Sequence, residues 1–147
     1  PRLHLPLIQP TDGFLVSGKE GNEIISRKNA ARYSRYVKLF ETIPDEKLVR
    51  LYRGLYPLFQ QAYREAGERN GHFNDRLIEV FDDLSETPEP EGAIPVVLHI
   101  SRFKYVDPDL ESRSAGQKIL LRMGVENTRR IKQKVAGLRQ KLARGEW

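Results

Sequence analysis

Residues 112–144, SRSAGQKILLRMGVENTRRIKQKVAGLRQKLAR, decide how this chain is to be folded. An apolar run at Ile119, Leu120, Leu121 and Met123 precedes Gly124, and a second pattern follows in which Ile131, Val135, Leu138 and Leu142 recur at spacings of 4, 3 and 4. Such spacing puts four apolar side chains on one narrow helix face. Two helices joined at one Gly are predicted, from about 114 to 123 and from about 126 to 143. The corner has two readings. A helix-turn-helix nucleic-acid binder would present Glu126, Asn127, Arg129 and Arg130 to base edges. An apolar first helix and a single-residue turn, where that motif uses three or four residues, fit better a packing corner whose basic outer face carries Arg129, Arg130, Lys132 and Lys134.

Outward from this corner the charge divides. From Arg113 to the end there are 10 Arg and Lys against 2 Glu, and from Glu65 to Gly92 there are 2 Arg against 9 Asp and Glu, so a net of +8 faces a net of −7. The basic last helix is therefore expected to approach the acidic third helix, within the chain or across a homodimer. The acidic helix runs from about Asn74 to Leu84, with Leu77, Ile78, Phe81 and Leu84 buried, Asn74 as its cap and Phe73 stapling against Ile78. Asp75, Glu79, Asp82 and Glu86 line its other side at spacings of 4, 3 and 4. Paired-carboxylate chemistry needs a desolvated cleft, and these acids are read instead as facing water or the basic helix.

Before it, Ser26 caps a helix to about Ile43 with Ala30, Tyr33, Val37 and Phe40 as its stripe, and Pro44 opens a second helix to about Ala66. Leu48, Leu51, Tyr52, Leu55, Tyr56, Leu58, Phe59, Ala62 and Tyr63 make that second helix apolar nearly all round, so it is expected at the buried centre, kinked near Pro57. Phe14–Ser17 and Glu23–Ile25 flank a Gly-rich turn and predict a small hairpin. Residues 86–95 break the pattern, and Val96–Phe103 reads as a strand or extended stretch. Pro6, Pro10 and Asp12-Gly13 mark residues 1–13 as an extended arm, and residues 14–147 as one domain. The fold class is mainly α, a single-domain bundle of about five helices with a small β-hairpin or short extended strands.

Composition excludes several chemistries. The chain of 147 residues contains no Cys, which removes disulfides, thiolate catalysis and Cys-based metal sites. His4, His72 and His99 stand too far apart for metal-ligand spacing, and no nucleophile elbow or phosphate-binding loop is present. No cofactor is expected. Tyr33, Tyr36, Tyr52, Tyr56 and Tyr63 interleave with Arg32, Arg35, Arg50, Arg53 and Arg64, a pattern of ordinary amphipathic helices that binding surfaces also use. The longest nearly unbroken apolar run, Ala93–Ile100, is far short of the roughly 20 residues of a membrane helix. Pro1 stands where Met would open a full chain, so the sequence is read as a fragment.

Three segments carry a resemblance to a known family: Leu51–Gln60 (LYRGLYPLFQ), Phe73–Val80 (FNDRLIEV) and Ser114–Gly124 (SAGQKILLRMG), joined by Asn29–Tyr33 (NAARY). In this order they resemble the bacterial domain of unknown function numbered three-zero-one-four, over most of the chain from about residue 10. Gly54 and Val125 depart from its usual pattern. The resemblance implies an N-terminal membrane-spanning segment, a proline-rich spacer and further domain sequence upstream, with the domain in the cell envelope and periplasmic. It brings no catalytic residues. Within the matching segments Arg53, Tyr56, Asn74, Asp75, Arg76, Gln117 and Lys118 form the candidate binding surface. The expected function is a non-enzymatic binding or scaffolding domain whose partner is a protein or another envelope component. The alternatives are a cytoplasmic nucleic-acid binder using the basic helix-Gly-helix, and an enzyme of unrecognised type.

Overall fold

The computed structural model describes residues 13–144. The expected N-terminal arm lies, but for Gly13, outside the described residues. The first hairpin forms as expected, with β1 (Val16–Ser17) antiparallel to β2 (Ile24–Ile25) and Val16 opposite Ile25. Its connection depends on Gly18 at φ 107°, where an added Cβ would stand 2.5 Å from the Asn22 carbonyl oxygen.

Three helices follow: α1 (Lys28–Thr42), α2 (Asp45–Glu65) and α3 (Phe73–Ser85). The Ser26 hydroxyl accepts from the Lys28 N–H at 3.3 Å, so Ser26 holds the start of α1, which begins one residue later than a Ser26 cap implies. α2 continues through Pro57 without a break and stops at Gly67, φ 113°. Asn74 does not cap α3. The helix already includes Phe73, and the Phe73 N–H is taken by Oε1 of Gln60 from α2 at 2.8 Å.

The extended stretch after the Pro-rich segment is a second hairpin rather than one strand. β3 (Val96–His99) turns back at Ile100-Ser101 into β4 (Arg102–Tyr105), with Val96 opposite Tyr105. An Ile24–Pro95 bridge and the bonds Ile25 N–H to Ile94 O and Val96 N–H to Glu23 O join the two hairpins. A one-turn helix, α4 (Pro108–Glu111), leads to α5 (Ala115–Met123) and α6 (Val125–Ala143), making six helices among the described residues.

The corner at Gly124 holds because nothing larger than Gly suits it: its φ is 85°, and a Cβ there would lie 3.0 Å from the Ala30 Cβ of α1. Thr128 ties the two helices together, its one hydroxyl proton shared between the carbonyls of Leu120 at 2.8 Å and Gly124 at 3.0 Å.

The central helix is α6, and the expectation that α2 fills this place is overturned. α6 packs against α1, α2, α3 and α5. Val135, Leu138 and Leu142 of its predicted stripe are buried, Leu138 and Leu142 in a cluster with Val49 of α2 that Phe40, Leu48, Tyr52, Leu77 and Phe81 cover. α2 buries only one side, at Val49 and Gln60, and leaves Leu51 60% and Leu58 62% exposed. A second cluster, Ile94, Val96, Tyr105, Leu110 and Leu121, welds the hairpins to α4 and α5.

The most completely buried large side chains are polar: Asn29, Asn127, Thr87 and Thr128. Each of the amides acts as a staple. Asn29 bonds both the N–H and the carbonyl of Leu15, at 3.0 and 2.6 Å, fixing the first hairpin to α1. Asn127 donates to the carbonyls of Ala30 and Met123, each at 2.9 Å. Gln60 closes the α2–α3 loop by donating to the Gly71 carbonyl at 2.8 Å. Among the described residues no buried side-chain N or O lacks a partner.

Candidate functional site

The seven residues of the expected binding surface divide into two groups. Arg53, Tyr56, Asn74, Asp75 and Arg76 belong to the α2–α3 pair. There Phe73 lies among α2 rings, 5.3 Å from Phe59 and 5.8 Å from Tyr63. The Tyr52 hydroxyl donates to Asn74 Oδ1 at 3.2 Å, and the Tyr56 hydroxyl to Gln60 Oε1 at 3.0 Å. Burial, then the proximity of Tyr56 and Asp75, pushes Tyr52 up to about 12, so it remains a neutral donor. Arg53 and Asp75 are exposed, and Arg76 pairs with Glu79 one turn away at 2.8 Å.

Gln117 and Lys118 stand apart on α5 and are occupied in packing. The Gln117 amide is buried and donates to the Asp83 carbonyl at 2.6 Å, locking α5 to the end of α3. Lys118 meets Glu111 at 3.2 Å, and its carbonyl accepts from the Tyr105 hydroxyl at 2.8 Å.

The basic face of α6 is turned inward electrostatically. Arg129 and Lys132 hold Glu89 at 2.8 and 2.9 Å, Arg130 meets Glu41 and Glu126 at 3.6 and 3.3 Å, and Lys134 meets Asp45 at 2.6 Å. Arg139 grips both carboxylate oxygens of Asp82, and Lys141 reaches Glu46 at 2.7 Å. Every Arg and Lys of α6 thus has an acidic partner, most of them on α1, α2, α3 or the segment after α3. The expected approach of the basic and acidic helices occurs within the chain. Hydrogen bonds from these cations hold Glu46, Asp82 and Glu89 below the usual carboxylate range, opposite to the upward shift that an acid catalyst needs.

A cleft of about 720 Å³ was not legible in the sequence, because three stretches far apart in the chain, 24–30, 90–94 and 121–126, build most of it. Ile24 and Ile25 of β2, Ala93 and Ile94 of the Pro-rich segment, Ala30 of α1, and Leu121 and Val125 of the α5–α6 corner supply apolar lining. Arg27, Lys28 and Arg122 add positive charge. Among the described residues no acid lies within ion-pair distance of these three, whereas Glu126, the acid in the lining, is held by Arg130. Arg122 is aimed by aromatic rings, its guanidinium 5.1 Å from the Phe14 centroid and 6.0 Å from that of Tyr105. Ser17 and Ser26 are the hydroxyls of the lining, and Ser26 is engaged with the Lys28 N–H. Among the described residues of the lining there is no His to serve as a base. The arrangement suits retention of an apolar body bearing an acidic group. Among the described residues no three His, Cys, Asp or Glu gather as a metal site.

The family model described as "Protein of unknown function (DUF3014)" matches residues 1–139. No curated protein and no solved structure matches the chain.

Proposed function

We propose that this chain, which belongs to the DUF3014 family, is a non-enzymatic binding domain whose cleft receives a partner segment combining apolar and acidic side chains. One observation carries the reading: an apolar cleft with three cations in its lining that no acid of the described chain neutralises, in a molecule that pairs every cation of its most basic helix. Apolar area would provide the bulk of the affinity and the cations would select the sign of the partner. We place the domain in the bacterial cell envelope, outside the cytoplasm and behind an N-terminal anchor, as the family resemblance implies. Among the described residues no helix is long and apolar enough to cross a membrane.

The test is an array of decapeptides alternating Leu or Val with Asp or Glu, set against the same array with Lys in place of the acids. The acidic array should retain the domain, and Arg27→Glu combined with Arg122→Glu should weaken retention about tenfold, equivalent to ~1.4 kcal/mol. Equal retention by both arrays, or by neither, rejects the cleft as a site for such a partner. Fractionation of the tagged full-length protein tests the compartment, and recovery in the cytosolic fraction rejects the envelope.

A further inference from the structure

α2 carries a second apolar feature, on a face remote from the cleft lining. Leu51, Leu55, Leu58 and Ala62 recur at spacings of 4, 3 and 4, the seam pattern of a two-helix interface. Yet all four are exposed, Leu51 by 60%, Leu55 by 37% and Leu58 by 62%. α2 meets α6 and α3 through other residues, Val49 and Gln60 being its buried ones. A seam of this kind loses free energy to water unless something covers it.

Two observations identify the cover. The first is the charge at the two ends. Lys47 lies beside the seam in the first turn, and Glu65 ends the helix, where it accepts from Gln61 Nε2 at 2.9 Å. If a second α2 runs antiparallel so that Leu55 faces the second copy's Leu58, then Leu51 faces its Ala62, large against small, and Lys47 comes to its Glu65. The two-fold axis repeats each contact. A parallel arrangement would place Lys47 on Lys47 and Glu65 on Glu65. The second observation is Gly54. Within an exposed helix Gly is markedly less favourable than Ala. Nothing among the described residues requires it, because an added Cβ at Gly54 would find none of their atoms within 4 Å. Gly54 flanks the seam on the same side as Lys47 and Gln61, where the missing side chain lets a second backbone approach.

We infer that α2 is a homodimerisation helix, pairing antiparallel with α2 of a second copy about a two-fold axis between Leu55 and Leu58. This goes beyond the cleft reading and stands or falls separately, since α2 contributes no residue to the cleft lining.

Sedimentation equilibrium on the full 147-residue chain, from about 5 to about 500 µM, should show a reversible monomer–dimer equilibrium. Leu58→Glu should leave a monomer throughout, with a melting temperature within about 3 °C of the parent because the site is exposed. Lys47→Glu and Glu65→Lys should each weaken dimerisation about fivefold. Both changes suit the helix dipole of the monomer, so neither loss would come from unfolding. The double variant, with the charges exchanged, should recover the parent dissociation constant. Gly54→Ala should raise the melting temperature of the monomer while weakening the dimer. A parent that is monomeric over the whole range, a dimer that survives Leu58→Glu, or a double charge exchange no better than either single change would overturn the proposal.

Discussion

At the scale of single residues, polar side chains determine how the segments join. Asn29 makes three hydrogen bonds to the backbone of Leu15 and Ser26, two of them with the strand entry that the first hairpin needs. Replacing it with Leu leaves the Leu15 N–H and two carbonyls without their partner in a buried place. A loss of about 2–4 kcal/mol in urea unfolding is expected. Gly124→Ala should cost about 1–3 kcal/mol in the same measurement, from the positive φ and the contact with Ala30. A cost below 0.5 kcal/mol would show, for Asn29, that the hairpin attachment re-forms without it and, for Gly124, that the corner relaxes easily. These roles were not legible in the sequence. Gln117 reads as a surface amide because most Gln residues are exposed, and Asn74 reads as a cap because it precedes an acidic helix. Each finds its partner far along the chain: Gln117 at Asp83, Asn74 at Tyr52. The segments that carry the family resemblance each contain one of these amides, Asn29, Gln60, Asn74 or Gln117. The resemblance therefore reports how the fold is fastened more than where it binds.

At the scale of elements, legibility follows how narrow the apolar pattern is. α6 offers one stripe, so its buried face could be read from Val135, Leu138 and Leu142. α2 is apolar nearly all round, and the sequence offers no way to choose which side its neighbours cover. The β3–β4 hairpin was missed because Ile100-Ser101 contains none of the Gly, Asn or Asp that two-residue turns favour. Ile100 sits at φ 59° and is 91% exposed, a strained backbone for a β-branched residue. Ile100→Gly should therefore raise stability by about 1 kcal/mol in thermal unfolding, and a lower melting temperature would contradict the turn. α6 also bears on the nucleic-acid alternative. A phosphate backbone would have to displace Glu89, Asp45, Asp82 and Glu46 from their cations before gaining contacts of its own. Titration of labelled duplex DNA at two salt concentrations should show no tight, steeply salt-dependent binding. Nanomolar affinity abolished by Arg129→Glu with Arg130→Glu would reinstate the helix-turn-helix reading.

At the scale of the whole molecule, the opposed charges of the sequence become a network with α6 at its hub. Exposed pairs are individually weak, so the network should be read through its response to pH rather than through any one contact. Glu46, Asp82 and Glu89 titrate below the usual carboxylate range because Lys141, Arg139, and Arg129 with Lys132 hydrogen-bond their charged forms. Glu111 is lowered first by the Tyr105 N–H and further by Lys118. In the unfolded chain these groups titrate near the ordinary value of about 4. As pH falls through that value the unfolded state takes up protons first. The stabilisation is therefore complete above the ordinary carboxylate pKa and is lost as pH drops through the lowered folded values. The alkaline side has the opposite sign. Tyr52 ionises only at about 12 in the folded state, so stability is retained up to about pH 10 and declines as pH rises towards 12. Melting temperatures between about pH 2 and pH 7 should thus fall on the acid side, beginning below about pH 5. A variant combining Arg129→Gln, Arg139→Gln and Lys141→Gln removes the main cause of lowering at Glu89, Asp82 and Glu46. It should flatten the acid slope by lowering the neutral melting temperature towards the acid one, and the drop should be modest because exposed pairs contribute little each. If the slope persisted unchanged, the acid sensitivity would belong to other carboxylates, and the pairing of charge poles would be a feature of shape without weight in stability.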